Sequence, residues 1–143
     1  IFWIDRDRKG CAGVHINLES DYAARIVYCL TKVDGRLDAQ SIAEETCVSL
    51  RFTLKIMRKL VAAGIVRSFK GAKGGYQLAR GPESVTLRQV IEAVEGPYRF
   101  SRCLDGEYDC SCSAVMGCPF HTVFDDVTKT VIEKLDAVTF ADL

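Results

Sequence analysis

No run of apolar residues in the chain comes near the roughly 18 that a membrane-spanning helix requires. The basic, apolar and small-residue order of a signal peptide is missing too, because Asp5, Arg6, Asp7, Arg8 and Lys9 follow at once on Ile1 to Ile4. A soluble, cytoplasmic chain that engages no membrane is therefore expected. There is no P-loop, no dinucleotide fingerprint and no recognisable catalytic triad, so an enzyme is not expected. Internal repeats and low-complexity tracts are absent. So is net charge, since 19 Lys and Arg balance 19 Asp and Glu. What remains is 143 residues, 48% of them hydrophobic, enough for one compact domain with a docking helix and too few for a multi-domain machine.

The neutral total hides a segregation. From Ser49 to Arg80, 32 residues hold eight Lys or Arg and no acid, whereas from Ser101 onward three basic residues face eight acidic ones. A stretch stripped of acids is unusual for an ordinary solvated face and points to a polyanionic partner.

Residues 1 to 15 show no clear period and are set aside as an N-terminal extension. Tyr22, Ala23, Ile26, Val27 and Leu30 fall at helical spacing behind a capping Ser20, which predicts a helix over about 21 to 33. Asp38 caps a short second helix over 39 to 46. Ser49 caps a third over 50 to 63, with Gly64 ending it. Only Cys47 and Val48 separate the last two apart from the cap, so they must cross steeply as a helix-turn-helix. On the third helix Leu50, Leu54, Met57 and Val61 are expected to face inward, with Arg51, Lys55 and Lys59 forming a basic ridge elsewhere. Two short extended runs around Gly71-Ala72-Lys73-Gly74-Gly75 predict a hairpin, which beside a helix-turn-helix is a wing. Leu87, Val90, Ile91 and Val94 mark a further helix stopped by Gly96-Pro97. A last helix over about 120 to 138 carries a stripe of Val123 or Phe124, Val127, Val131, Leu135 and Val138, more apolar than solvent tolerates.

The expected fold is thus mainly α with a small β-hairpin wing. It divides into the extension (1–15), a winged helix-turn-helix (16–82), a linking helix and cysteine-rich loop (83–119), and a dimerisation helix with its tail (120–143). Charge and geometry coincide on the elements that would enter the grooves of double-stranded DNA. Ser49, Arg51, Phe52, Thr53 and Lys55 lie near the start of the third helix to reach major-groove edges, Arg58 and Lys59 extend the ridge, and Lys70 and Lys73 sit on the wing to reach phosphates or the minor groove.

Seven cysteines is an odd and high number, and four of them, Cys103, Cys110, Cys112 and Cys118, fall within sixteen residues, with His121 three residues beyond. Zinc sites commonly offer two close pairs of ligands, which this spacing does not. Thiolates spread along a loop suit an iron-sulfur cluster, and an imidazole can replace one of them. Cluster, zinc and bare redox thiols all remain open on spacing alone. Cys29 reads as a core thiol and Cys47 as a turn residue without a ligand role.

The segments "ESDYAARIVYCL", "IAEETCVSLRFTLKIMRKLVAAGIVRSFKGAKGGYQLA", "TLRQVIEAVEGP", the cysteine window and the closing "KLDAVTFADL" resemble, in order and spacing over about residues 16 to 143, the winged helix-turn-helix regulators of the IscR, NsrR and RirA family. CymR, a cluster-free cysteine regulator, is a relative. The resemblance implies a homodimer whose last helices cross, and a 2Fe-2S or 4Fe-4S cluster that air can strip during purification. It further implies that Cys103 and Cys118 are the outer thiolate ligands, with Cys112, or alternatively Cys110, as the middle one. His121 matches the fourth ligand of IscR-type sites, and Asp21 that of NsrR-type sites. The function so implied is a promoter-binding transcription regulator, repressing or activating, that responds to iron, cluster status, nitric oxide or redox state. The alternatives are a cluster-free winged-helix regulator answering through cysteine oxidation or a metabolic partner protein, and an electron-transfer or cluster-carrier protein, which would leave the basic wing unexplained.

Overall fold

Asn17, Asp38, Ser49 and Thr86 each stand in extended backbone immediately before a helix, and three of them cap it with a side chain. The computed structural model describes residues 16–108 and 118–143. The helices are α1 (Leu18–Thr31), α2 (Ala39–Thr46), α3 (Leu50–Ala62), α4 (Leu87–Glu95) and α5 (Pro119–Asp136), and a hairpin of β1 (Val66–Phe69) and β2 (Gly75–Leu78) lies between α3 and α4. The fold is the expected winged helix-turn-helix followed by a long C-terminal helix. None of the helices among the described residues is long and apolar enough to cross a membrane.

Helix α1 begins three residues before the predicted start. Asn17, not Ser20, is the N-cap, its side chain accepting from the Ser20 amide at 3.0 Å. Leu18 continues the i, i+4 spacing of Tyr22, Ile26 and Leu30 but is exposed, and the first turn is set by the Asn17 cap. Ser20 is instead fully buried, and its hydroxyl donates to the Glu95 carboxylate at the end of α4. Asp38 caps α2 as expected, accepting from the Gln40 and Ser41 amides at 2.9 and 3.0 Å. These bonds, led by the hydroxyl of Ser41, hold its carboxyl below the usual range.

Between α2 and α3, Cys47 adopts φ 54°, the left-handed region, so that its amide closes onto carbonyls of Ala43 and Glu44 and the chain can reverse within two residues. A β-carbon there costs about 1–2 kcal/mol, a strain the steep α2–α3 crossing imposes. The core gathers Ala23, Ile26, Val27 and Leu30 of α1, Ile42 of α2, Ile56, Met57 and Leu60 of α3, and Val90 and Val94 of α4. Each fully buried aliphatic contributes about 1.5–3 kcal/mol.

In the wing, Val66 pairs with Leu78 and Phe69 with Gly75, antiparallel. Tyr76 also pairs backbone to backbone with Leu37, at 2.7 and 3.0 Å, which ties the wing base to the α1–α2 connection. Only glycine serves at position 75, where φ is 137° and a β-carbon would lie 2.6 Å from the Leu37 carbonyl oxygen. After α5 the chain turns back. Phe140 is buried in the core, its amide donates to the Val85 carbonyl at 3.0 Å, and Arg88 of α4 reaches Asp136 at 2.7 Å. Helix α5 is therefore anchored at its C-terminal end, while its long apolar stripe remains half-buried or exposed and Thr128 alone among its described side chains is buried.

Candidate nucleic-acid interface

One turn of helix places residues three or four apart on the same face, and in α3 the positions that satisfy the core are Thr53, Ile56, Met57 and Leu60. This differs by a rotation of the helix from the expected stripe of Leu50, Leu54, Met57 and Val61. Leu50 is 39% exposed, and Leu54 and Val61 lie at the margin. The helix rolls because Ile56 and Leu60 add a pair of large apolar side chains one step further round, and burying both outweighs burying Leu50.

The rotation decides which expected contacts face solvent. Arg51, Lys55 and Arg58, at i, i+4 and i+7, form the exposed basic stripe, and Ser49, Leu50, Phe52 and Leu54 complete the lining of a shallow concavity of about 880 Å³ on this surface. Two expected DNA contacts do not belong to it. Thr53 is fully buried, with its hydroxyl reaching no partner among the described residues, so it faces the core and not a groove. Lys59 turns toward α1 and α4. Its ammonium donates to the Val94 carbonyl at 2.7 Å and stands 2.8 Å from Glu19, off the line of a hydrogen bond but well placed as an ion pair.

Glu19, on the first turn of α1, was not legible as part of this site. One oxygen faces Lys59 and the other accepts from Lys55 at 3.1 Å. The Lys59 ammonium above all, with Lys55 adding to it, holds its carboxyl below the ordinary range against the opposing effect of burial. Lys55 thus has one acid at hand while more than half its side chain stays exposed. Arg36 is a second unforeseen participant. Its guanidinium lies 3.6 Å above the Phe69 ring and donates to the Lys73 carbonyl at 3.3 Å, bracing the wing from beneath. Lys70 and Lys73 at the wing tip are exposed. Five exposed cations on two neighbouring elements, with the amino end of α3 adding its positive partial charge, make a surface suited to phosphates.

The cysteines present a second site in outline. Cys103 lies in a 3-10 turn, Arg102–Leu104, with its thiol 3.3 Å from the Ser101 hydroxyl, and Cys118 is the residue before α5. Both are half-buried. His121 is exposed on the first turn of α5, and Asp21 on α1 pairs with Arg25 at 2.6 Å. Cys110 and Cys112 lie outside the described residues, as does the extension 1–15, and among the described residues three potential ligands do not come together. Two half-buried cysteines, Cys103 and Cys118, thus stand on either side of 109–117 in the chain, and thiols are donors of the kind a cluster takes. Cys29, expected in the core, is instead half-buried at its edge, its thiol pushed up by burial and then by nearby Glu45.

Comparison with known proteins agrees with this architecture. Residues 16–143 match the family model described as Rrf2, iron-dependent transcriptional regulator. The regulator NsrR of Bacillus licheniformis is 26% identical over 127 residues, covering 87% of each chain. The solved structure of T. potens IscR superposes with a TM-score of 0.70 at 28% identity, covering 93% of this chain and 88% of that one. CymR, the global cysteine regulator of B. subtilis, gives 0.72 at 27% identity over 91% and 95%. With a fold, a basic reading head and a family model in agreement over nearly all the chain, the protein belongs to the Rrf2 family of transcriptional regulators.

Proposed function

We propose that the chain acts in the cytoplasm as a homodimeric promoter-binding regulator, with no catalytic activity, whose DNA affinity is set by an iron-sulfur cluster. The observation that carries the DNA reading is the alignment of Arg51, Lys55 and Arg58 on the open face of α3 beside Lys70 and Lys73 of the wing. Ser49 and Phe52 belong to the same surface. The winged head spans 16–82, the linking helix and cysteine loop 83–119, and the dimerisation helix with its C-terminal tail 120–143. The uncovered stripe of α5 supports the dimer, because a second copy of the same helix can bury both stripes at once.

Cys103 and Cys118 would hold the cluster with Cys112, or Cys110, between them, and His121 or Asp21 would complete the set. A bound 2Fe-2S or 4Fe-4S centre would supply a group that iron supply, oxidants or nitric oxide can alter. Cys118 leads directly into α5 and Cys103 is joined to α4 by seven residues, so drawing these thiolates together fixes the start of the dimer helix relative to the head. Half-sites lie about 34–36 Å apart, and small changes in head separation alter affinity. Coupling of this kind is about 1–3 kcal/mol and reciprocal, so DNA shifts cluster affinity by the same factor.

The test is purification under nitrogen. A brown protein with charge-transfer absorption and two or four irons per chain, binding DNA with an affinity that changes on cluster removal, supports the reading; a colourless protein with one zinc or none rejects the cluster. The likeness to CymR favours a second reading, regulation through cysteine chemistry without a cluster, in which thiol oxidation alone changes DNA affinity in a metal-free sample.

A further inference from the structure

The cationic stripe of α3 explains attraction to DNA but not which bases are read. Discrimination in the major groove calls for particular side chains: amides for adenine, carboxylates for cytosine, guanidinium or ammonium groups for guanine, and apolar groups for the C5-methyl of thymine. Helix α3, with the sequence LRFTLKIMRKLVA, contains no Asn, Gln, Asp or Glu. Adenine amide contacts and cytosine carboxylate contacts are therefore not available from it.

Two large apolar side chains instead stand in solvent on its first turn, the end nearest the capping Ser49. Phe52 is 44% exposed and Leu50 39% exposed, one on each flank of the Arg51-Lys55-Arg58 stripe. Phe52 is also held in place: the Tyr22 ring meets it edge-on at 6.1 Å and 72°, and Tyr22 in turn lies under the Arg25 guanidinium at 5.8 Å. Exposed apolar groups are unfavourable in water, and here they flank cations that suit phosphates and guanine edges.

We propose that Phe52 and Leu50 determine operator specificity by packing on thymine C5-methyl groups, so that half-sites are read as thymines next to guanines. This rests on the reading of α3 as the DNA-contacting helix. The chemistry recognised is an apolar methyl on an otherwise polar groove floor, flanked by the phosphates and guanine acceptors that Arg51, Lys55 and Arg58 engage.

Methyl deletion in the DNA tests this without touching the protein fold. Duplexes with a randomised core are selected with the full chain, in its nitrogen-purified and air-exposed forms. The enriched duplexes are then resynthesised with deoxyuridine for thymidine, position by position. Fluorescence anisotropy at one salt concentration is expected to show thymine-bearing half-sites weakened about fourfold for each contacted methyl removed, the factor that ~0.8 kcal/mol represents. In Phe52→Ala and Leu50→Ala the thymidine-to-deoxyuridine ratio at the corresponding position falls to near one, while Phe52→Met, which keeps an apolar tip, retains most of it. Equal binding of thymidine and deoxyuridine duplexes by the unaltered chain, or an unchanged ratio in both alanine variants, overturns the proposal while leaving DNA binding by α3 standing. Failure to enrich any duplex, with no salt-dependent affinity for DNA, overturns the DNA reading itself.

Discussion

Replacing Glu19 by Gln should destabilise the head by about 1–2 kcal/mol, and the structure says through which partner. The Glu19 carboxylate is 19% exposed and faces two ammonium groups, Lys59 at 2.8 Å and Lys55 at 3.1 Å. A fully exposed pair contributes about 0.2–1 kcal/mol, and breaking a fully buried one costs about 3–5 kcal/mol. This pair lies between, with Lys59 more secluded than Lys55 and fixed by its second bond, to the Val94 carbonyl in the last turn of α4. Cations are favourable at that end of a helix. The energy should therefore reside mainly in the Glu19–Lys59 pair. Urea denaturation at one protein concentration, applied to Glu19→Gln, Lys59→Met and the double variant, is expected to give a coupling energy of about 1 kcal/mol or more. The sign with pH follows from the lowered carboxyl: its contribution is complete above the unfolded value, roughly pH 4.3, and disappears as the pH falls through the still lower folded one. The gap between the unaltered chain and Glu19→Gln should be constant near neutrality and close only below about pH 4. Additive single variants, or a gap that closes between pH 5 and 7, would refute the assignment.

Other substitutions probe the elements that position the site. Gly75→Ala forces a β-carbon against the Leu37 carbonyl at φ 137°; it should cost about 1–3 kcal/mol and speed amide exchange at Tyr76 and Leu37 before the rest of the head. Cys47→Gly relieves the left-handed residue in the α2–α3 turn; thermal unfolding should show a gain of up to about 1 kcal/mol, the relief of strain being partly offset by the freer unfolded chain. Val123→Asp on the 57% exposed position of the α5 stripe should leave the fold of the subunit intact by circular dichroism while weakening the proposed dimer by about 3 kcal/mol or more in sedimentation. Arg51→Ala and Lys70→Ala should each reduce the salt slope of DNA binding by about 0.9, whereas Lys59→Met should leave that slope unchanged because Lys59 faces α1 and α4.

The elements themselves were legible because they are signalled locally. Asp38 as a side-chain cap, Ser49 in the N-cap position but without a side-chain bond, Gly64 as a stop and the glycines of the wing act within a few residues of where they stand, so α2, α3 and the hairpin follow from the sequence almost to the residue. The acid-free stretch likewise coincides with α3 and the wing, since charge segregation is a property of the linear chain. By contrast, the expected N-cap at Ser20, the place of Leu50 in the inward stripe of α3 and the outward placement of Thr53 and Lys59 were overturned, while Met57 of that stripe is buried.

Those differences share one cause. Whether Ser20 caps its own helix or bonds to Glu95, and whether Lys59 faces DNA or Glu19, depends on residues 75 and 40 positions away, which no local period records. The orientation of α3 about its axis is likewise set by the combined burial of Ile56, Met57 and Leu60 against α1 and α4. The return of Phe140 to the core is another long-range event, made visible only when the chain after α5 pairs with Val85. The linear order of residues determined which helices, hairpin and charged segment exist, because caps, glycines and hydrophobic spacing act over one or two turns. Only the packed molecule decided which cations stay open to solvent and which are taken up by internal partners, because that choice is made by contacts between segments far apart in the chain.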